Sequence, residues 1–120
     1  LNRQGVLGGM SYSIEFKRAI AAAAITRLIQ GRRNLDAAAR HVVESIGHKV
    51  FVTLEGERKI EALREYRKRL MEASNDRPSP PRLAIARFHY ESCLRWVADD
   101  KLKPEESAEL LMAALLSADR

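Results

Sequence analysis

The chain is expected to fold as an all-α or nearly all-α domain, a small irregular bundle of four to five helices with one short extended segment at 50–54. Three observations predict this. Alanine and leucine dominate the apolar residues while aromatics make up only 6%, and Ala, Leu, Arg, Lys and Glu lose least on entering a helix. Apolar residues recur at spacings of three and four along successive stretches. Most stretches open on a residue that starts helices or close on one that stops them. At 120 residues the chain is one domain in length and can bury a core without disulfides or metal.

Met10 and Ser11 look like a natural start, so residues 1–9, with three glycines and no periodicity, are expected to be a leader without fixed structure. The domain is then 10–120. Ser13 suits an N-cap, and Glu15 falls in the first turn, where the helix dipole favours an anion. Phe16, Ile20, Ala24 and Leu28 recur at i+4 beside Ile25 and Ile29, and Gly31 stands where a left-handed cap would end the helix. Residues 21–24 are all alanine, so a second helix can approach closely and this helix should sit centrally.

Asn34 or Asp36 caps the second helix. Its stripe is Leu35, Ala39, Val42, Val43 and Ile46, and Gly47 should end it. Val50-Phe51-Val52-Thr53-Leu54 is rich in β-branched and aromatic residues and reads as extended. A lone strand cannot satisfy its own backbone groups, so it needs a partner. The third helix should run over about 57–73 as a surface helix, with Ile60, Leu63, Tyr66 and Leu70 inward and charges elsewhere. Pro78, Pro80 and Pro81 make 74–82 a stiff connector. A fourth helix, 81 or 82 to about 98, carries apolar residues round most of its circumference and should be widely covered. Pro104 opens a fifth, with Glu105 and Glu106 in its first turn. The connector thus separates a basic part from a C-terminal helical hairpin.

Cys93 is the sole cysteine, so no internal disulfide forms and an oxidising compartment gains no support. The longest strongly apolar run, near 19–25, is far short of a bilayer span, and no secretory leader is recognisable. A cytoplasmic protein without membrane partners is expected. The net charge is +5 and uneven. Through Arg77 there are 15 Lys and Arg against 9 Asp and Glu, and thereafter 6 against 7.

Catalytic and metal chemistry finds little footing. His41, Glu44 and His48 have the wrong spacing for a zinc-protease helix, which needs histidines one turn apart. His89 and Cys93 lie at i, i+4, but no second ligand pair follows, and the apolar neighbours of Cys93 mark it as a buried inert thiol. Gly8, Gly9 and Gly31 do not have the spacing of a phosphate-cradling loop. No cofactor, metal or catalytic residue is expected.

Two functional expectations remain. The first is a non-enzymatic interaction or regulatory module, a homodimer or larger, with Val50, Phe51, Val52, Phe88, Tyr90 and Trp96 as contact residues, since aromatic side chains concentrate at interface hot spots. The second is a nucleic-acid-binding accessory protein using Arg27, Arg32, Arg33, Arg40, Arg64 and Lys68, because phosphate contact requires several cations on one surface. Residues 25–47 resemble the opening of a helix-turn-helix, with Leu35-Asp36-Ala37-Ala38-Ala39-Arg40 as its scaffold helix. A recognition helix should follow a short turn, whereas 50–54 reads as extended.

Overall fold

The computed structural model describes residues 13–72, 80–99 and 101–118. Among these, five helices follow one another: α1 (Ile14–Gln30), α2 (Leu35–Val50), α3 (Glu57–Glu72), α4 (Pro81–Trp96) and α5 (Pro104–Ala118). No strand occurs among the described residues, and the all-α expectation holds. The leader expected at 1–9 and most of the connector expected at 74–82 lie outside the described residues.

The core is built around α1. Every residue from Ala19 to Ile25 has no exposed surface, so this stretch is apolar round its whole circumference, as a helix enclosed on all sides must be. The alanines at 21–24 present only methyl groups, which lets neighbouring helices come close from several directions at once. α1 accordingly packs against all four other helices, most extensively α4 and α5. Those two helices, expected to form a hairpin, make their main packing with α1 rather than with each other. Val42 and Ile46 of α2, Leu63 and Leu70 of α3, and Leu111, Met112 and Leu115 of α5 complete the buried set. No helix among the described residues is long and apolar enough to cross a membrane.

Local chemistry sets most helix ends. The Ser13 side chain accepts the Phe16 N–H at 3.2 Å, and Asn34, rather than Asp36, caps α2 by accepting from Ala37 N at 2.8 Å. The end of α1 departs from expectation by one residue. Gly31 has φ −83°, and the left-handed position is Arg32, at φ +74°. Arg32 N–H donates to Ile29 O at 2.9 Å and Arg33 N–H to Leu28 O at 3.1 Å, the bond pair of a Schellman motif. Glycine is needed at 31 for a different reason: a Cβ there would lie 3.2 Å from Cγ of Glu105 and 3.5 Å from Cβ of Pro104. The start of α5 thus packs directly on this turn.

The second departure concerns Gly47 and the segment after it. The helix runs through Gly47, which is buried, and ends at Val50. A Cβ on Gly47 would stand 2.9 Å from Cγ1 of Val43, one turn earlier in the same helix, and in ordinary contact at 3.4 Å with Cδ of Lys59 of α3, so glycine here relieves crowding with Val43. Segment 50–54 is therefore not a strand. Val50 is helical, Phe51 caps the helix, and 52–53 form a turn. Val50 and Phe51 are β-branched and aromatic because they are core residues. Arg18 Nε donates to Val50 O at 3.3 Å and its guanidinium lies 4.5 Å above the Phe51 ring. The Phe51 N–H also donates to Gly47 O at 3.0 Å, and Val52 and Thr53 are exposed. A helix does follow α2, but after residues 51–56 with Gly56 at φ +55°, a longer link than the three- or four-residue turn of a helix-turn-helix.

A polar relay ties α1, α3 and α4 around this core. Thr26 Oγ1 accepts from Arg67 Nε at 3.1 Å and pairs with the Tyr90 hydroxyl at 2.7 Å. Arg87 of α4 donates to Leu70 O, one of the last carbonyls of α3, which no residue of α3 itself can satisfy.

Two stability outcomes are expected. Ala22→Leu should destabilise by about 1–3 kcal/mol or more, since extra methylenes in a packed core force backbone shifts. Arg32→Gly should stabilise by about 1 kcal/mol, because a left-handed non-glycine residue is strained. Urea denaturation midpoints check both, and an Arg32→Gly protein weaker than the parent would contradict the strain.

Candidate functional site

α4 is buried on one side only. Ala86, Tyr90, Cys93 and Val97 face α1 and are enclosed. The opposite face, expected to be covered, is open: Phe88 is 63% exposed and Ile85 51%. Pro81, Ala84, Glu91 and Arg95 on the same side are also exposed. The positions 81, 84, 88, 91 and 95 share one stripe of the helix, apolar at Pro81, Ala84 and Phe88 and charged at Glu91 and Arg95. Arg87 flanks this stripe, its Nε donating to Glu91 Oε1 at 2.7 Å.

Of the six residues expected at an interface between copies, Val50, Phe51 and Tyr90 belong to the chain's own core. Trp96 is partly buried against that core. Val52, 75% exposed, and Phe88 are open to solvent. Ile85 was missed by sequence reasoning. Its i−3 relation to Phe88, which was among the expected contact residues, is the signal that points to it.

Of the six cations expected to meet phosphate, Arg27, Arg40 and Arg64 are engaged with partners in the chain. Arg40 grips Glu57 through two bonds of 2.6 and 3.2 Å, and the Arg40 hydrogen bond holds the Glu57 carboxyl below its usual range. Asp36 lies 3.7 Å from Arg40 and 3.6 Å from Arg64. Arg27 donates to Gln30 at 2.5 Å and to Ser107 at 3.4 Å. Arg32 and Arg33 sit at the α1–α2 turn, and Lys68 is exposed on α3. The exposed charges of α3 are Arg58, Arg64, Lys68 and Arg69 against Glu57, Glu61, Glu65 and Glu72, so this surface carries both signs evenly. The groove along it, about 570 Å³, is lined by Arg64, Arg67 and Lys68 together with Glu61, Glu65 and Glu72.

The histidines have separate surroundings. His41 Nε2 lies 2.7 Å from Glu109 Oε1 of α5, while His48 is exposed. His89 stacks on Phe16 with centroids 4.6 Å apart, and burial lowers its pKa, with Glu15 opposing. Among the described residues, no three His, Cys, Asp or Glu side chains converge where a metal ion could sit. Cys93 is buried and free, and burial pushes its thiol up to about 12.

Comparison with protein-family models, with characterised proteins and with solved structures finds no match to this chain.

The Cys93 environment makes a kinetic and a thermodynamic prediction. At pH 8 a thiol reagent should label the native protein about a thousandfold more slowly than the unfolded chain, because only the thiolate reacts. The native pKa lies above the unfolded value of about 8.5. The thiol's contribution to stability is therefore whole below pH 8.5 and is lost as pH rises toward 12. Cys93→Ala should flatten that alkaline decline, and rapid native labelling would contradict the burial.

Proposed function

We propose that the chain is a non-enzymatic, self-associating helical module, and that a second copy docks on the outer face of α4. The observation carrying this is the exposure of Phe88 and Ile85 on adjacent turns, beside Pro81 and Ala84 on the same side of the helix. A large aromatic side chain left in water on such a face marks a contact surface.

The aromatic ring at the middle of the face points to a second copy as the occupant, since a two-fold pairing sets Phe88 against Phe88. In an antiparallel pair of α4 helices about a two-fold axis at Phe88, the two Phe88 rings meet at the centre. Glu91 of one copy then lies across from Ile85 of the other, while Arg87 keeps its bond to Glu91 within its own helix. Arg95 falls opposite the uncharged Pro81. Such a pairing is isologous, with the same stripe of each copy meeting the other. α4 has 16 residues and is about 24 Å long, which is modest beside the roughly 800 Å² per partner of a stable interface. Association in the micromolar range is expected.

Phosphate binding by the basic residues is the alternative. It needs cations free to release counterions, and the engagement of Arg27, Arg40 and Arg64 with partners in the chain weighs for the apolar face instead.

Sedimentation of the wild-type chain from about 10 to 500 µM, a range bracketing micromolar association, should show mass rising from one copy toward two. Phe88→Asp should remain monomeric throughout with an unchanged helical circular dichroism spectrum. A wild-type monomer at the top of this range, or a Phe88→Asp dimer, would overturn the reading.

A further inference from the structure

A chemical feature independent of the outer face of α4 lies at the last turn of α3, where Met71 meets the polar relay. The Tyr90 hydroxyl lies 3.3 Å from Met71 Sδ. Met71 is 48% exposed and forms part of the wall of the groove along α3. The other methionine among the described residues, Met112, is buried. We propose that Met71 is a stereoselective oxidation site: a hydroperoxide converts its thioether to one sulfoxide epimer, and the change is transmitted through Tyr90 to Thr26.

Counting hydrogens orders the relay. Arg67 Nε can only donate, and it donates to Thr26 Oγ1 at 3.1 Å. Thr26 and Tyr90 have one hydroxyl hydrogen each, and their oxygens stand 2.7 Å apart. The Ala22 carbonyl lies 3.2 Å from Thr26 Oγ1, but as a helix carbonyl it already accepts the backbone N–H of Thr26 one turn on. The order that gives every hydrogen its own acceptor therefore runs from Arg67 to Thr26, from Thr26 to Tyr90, and from Tyr90 to Met71. Tyr90 is buried, and Met71 Sδ is the soft terminal acceptor of its hydroxyl.

A thioether sulfur has two lone pairs. The Tyr90 hydroxyl holds one, and an oxygen added on that side would enter the space of the Tyr90 oxygen. The other lone pair is the one left for attack. It attacks the terminal oxygen of the hydroperoxide: the S–O bond forms as the O–O bond breaks, and the proton of that oxygen passes through water to the released oxygen, which leaves as water or an alcohol. Sulfur gives up two electrons and the peroxide takes them. Attack at one lone pair alone yields one epimer of the sulfoxide, which the reductase specific for that epimer returns to the thioether. The sulfoxide sulfur no longer accepts from Tyr90. The Tyr90 hydrogen then turns to Thr26, the Thr26 hydrogen turns to Ala22 O, and the junction of α1, α3 and α4 loses one bond of a connected network.

The test treats the whole native chain with hydrogen peroxide, with the urea-unfolded chain as reference. Peptide mass analysis should show Met71 oxidised at least about tenfold faster than Met112 in the native protein and at a comparable rate in the unfolded one, since oxidation follows exposure. The peptide carrying residue 71 is then given to each of the two methionine sulfoxide reductases, one per epimer. One of them should reduce roughly nine-tenths of the sulfoxide formed on the native chain but only about half of that formed on the unfolded chain. Tyr90→Phe removes the hydroxyl that guards the second lone pair, so it should bring the native ratio toward even. Limited peroxide treatment should lower the urea midpoint of the wild type and leave that of Met71→Leu unchanged. Should Tyr90→Phe fail to fold, the native and unfolded wild-type ratios decide. Equal native oxidation of Met71 and Met112, an even epimer ratio on the native chain, a bias that survives in Tyr90→Phe, or a midpoint that does not fall in the wild type or falls equally in Met71→Leu would overturn the assignment.

Discussion

The structure depends on the alanine-centred enclosure of α1. A central helix with large side chains keeps its neighbours some distance from its axis. One with methyl groups on every side lets them close in. Residues 19–25 are buried without exception, and α1 contacts all the other helices. Each of those helices then needs only one apolar face, the one turned toward α1. The amphipathic character of α2 and α3 and the single buried side of α4 follow from that arrangement.

The same arrangement explains where apolar surface is left over. α4 satisfies its packing on α1 through Ala86, Tyr90, Cys93 and Val97, and nothing on the described chain reaches round to its far side. Phe88 and Ile85 remain in water. Polar residues near the core, by contrast, are drawn into bonds that bridge helices. Arg87 completes the end of α3, Arg67 and Tyr90 meet at Thr26, and Arg18 supports the end of α2. Several arginines of this basic chain therefore act as structural connectors, and the net charge of +5 overstates how much positive surface is free for a partner.

Two surface features involve α4 in different ways. Its outer face presents an apolar patch with an ion pair beside it, a surface suited to another helix. Its first turn borders a small cleft shared with Tyr66 and Arg69. The cleft draws residues from α1, α3 and α4, so its shape depends on how α1 seats the other two.

The amino-acid sequence by itself determined the helices and most of their ends. Caps, proline starts and apolar periodicity act within about four residues, so Ser13 and Pro104 could be placed without knowing the fold, and the cap of α2 and the start of α4 narrowed to Asn34 or Asp36 and to 81 or 82. The central position of α1 was legible from the alanine run for a similar reason, since side-chain size is a property of the residue alone. Tertiary structure decided what depends on distant partners. That the turn at Gly31 packs against Glu105 and Pro104 of α5 depends on residues far along the chain. Whether Phe51, Tyr90 or Phe88 is core or surface turns on which helix lies opposite, and composition is the same in either case. The Tyr66 cleft was invisible for the same reason: its residues are separated by tens of positions, and only the packing of three helices brings them together.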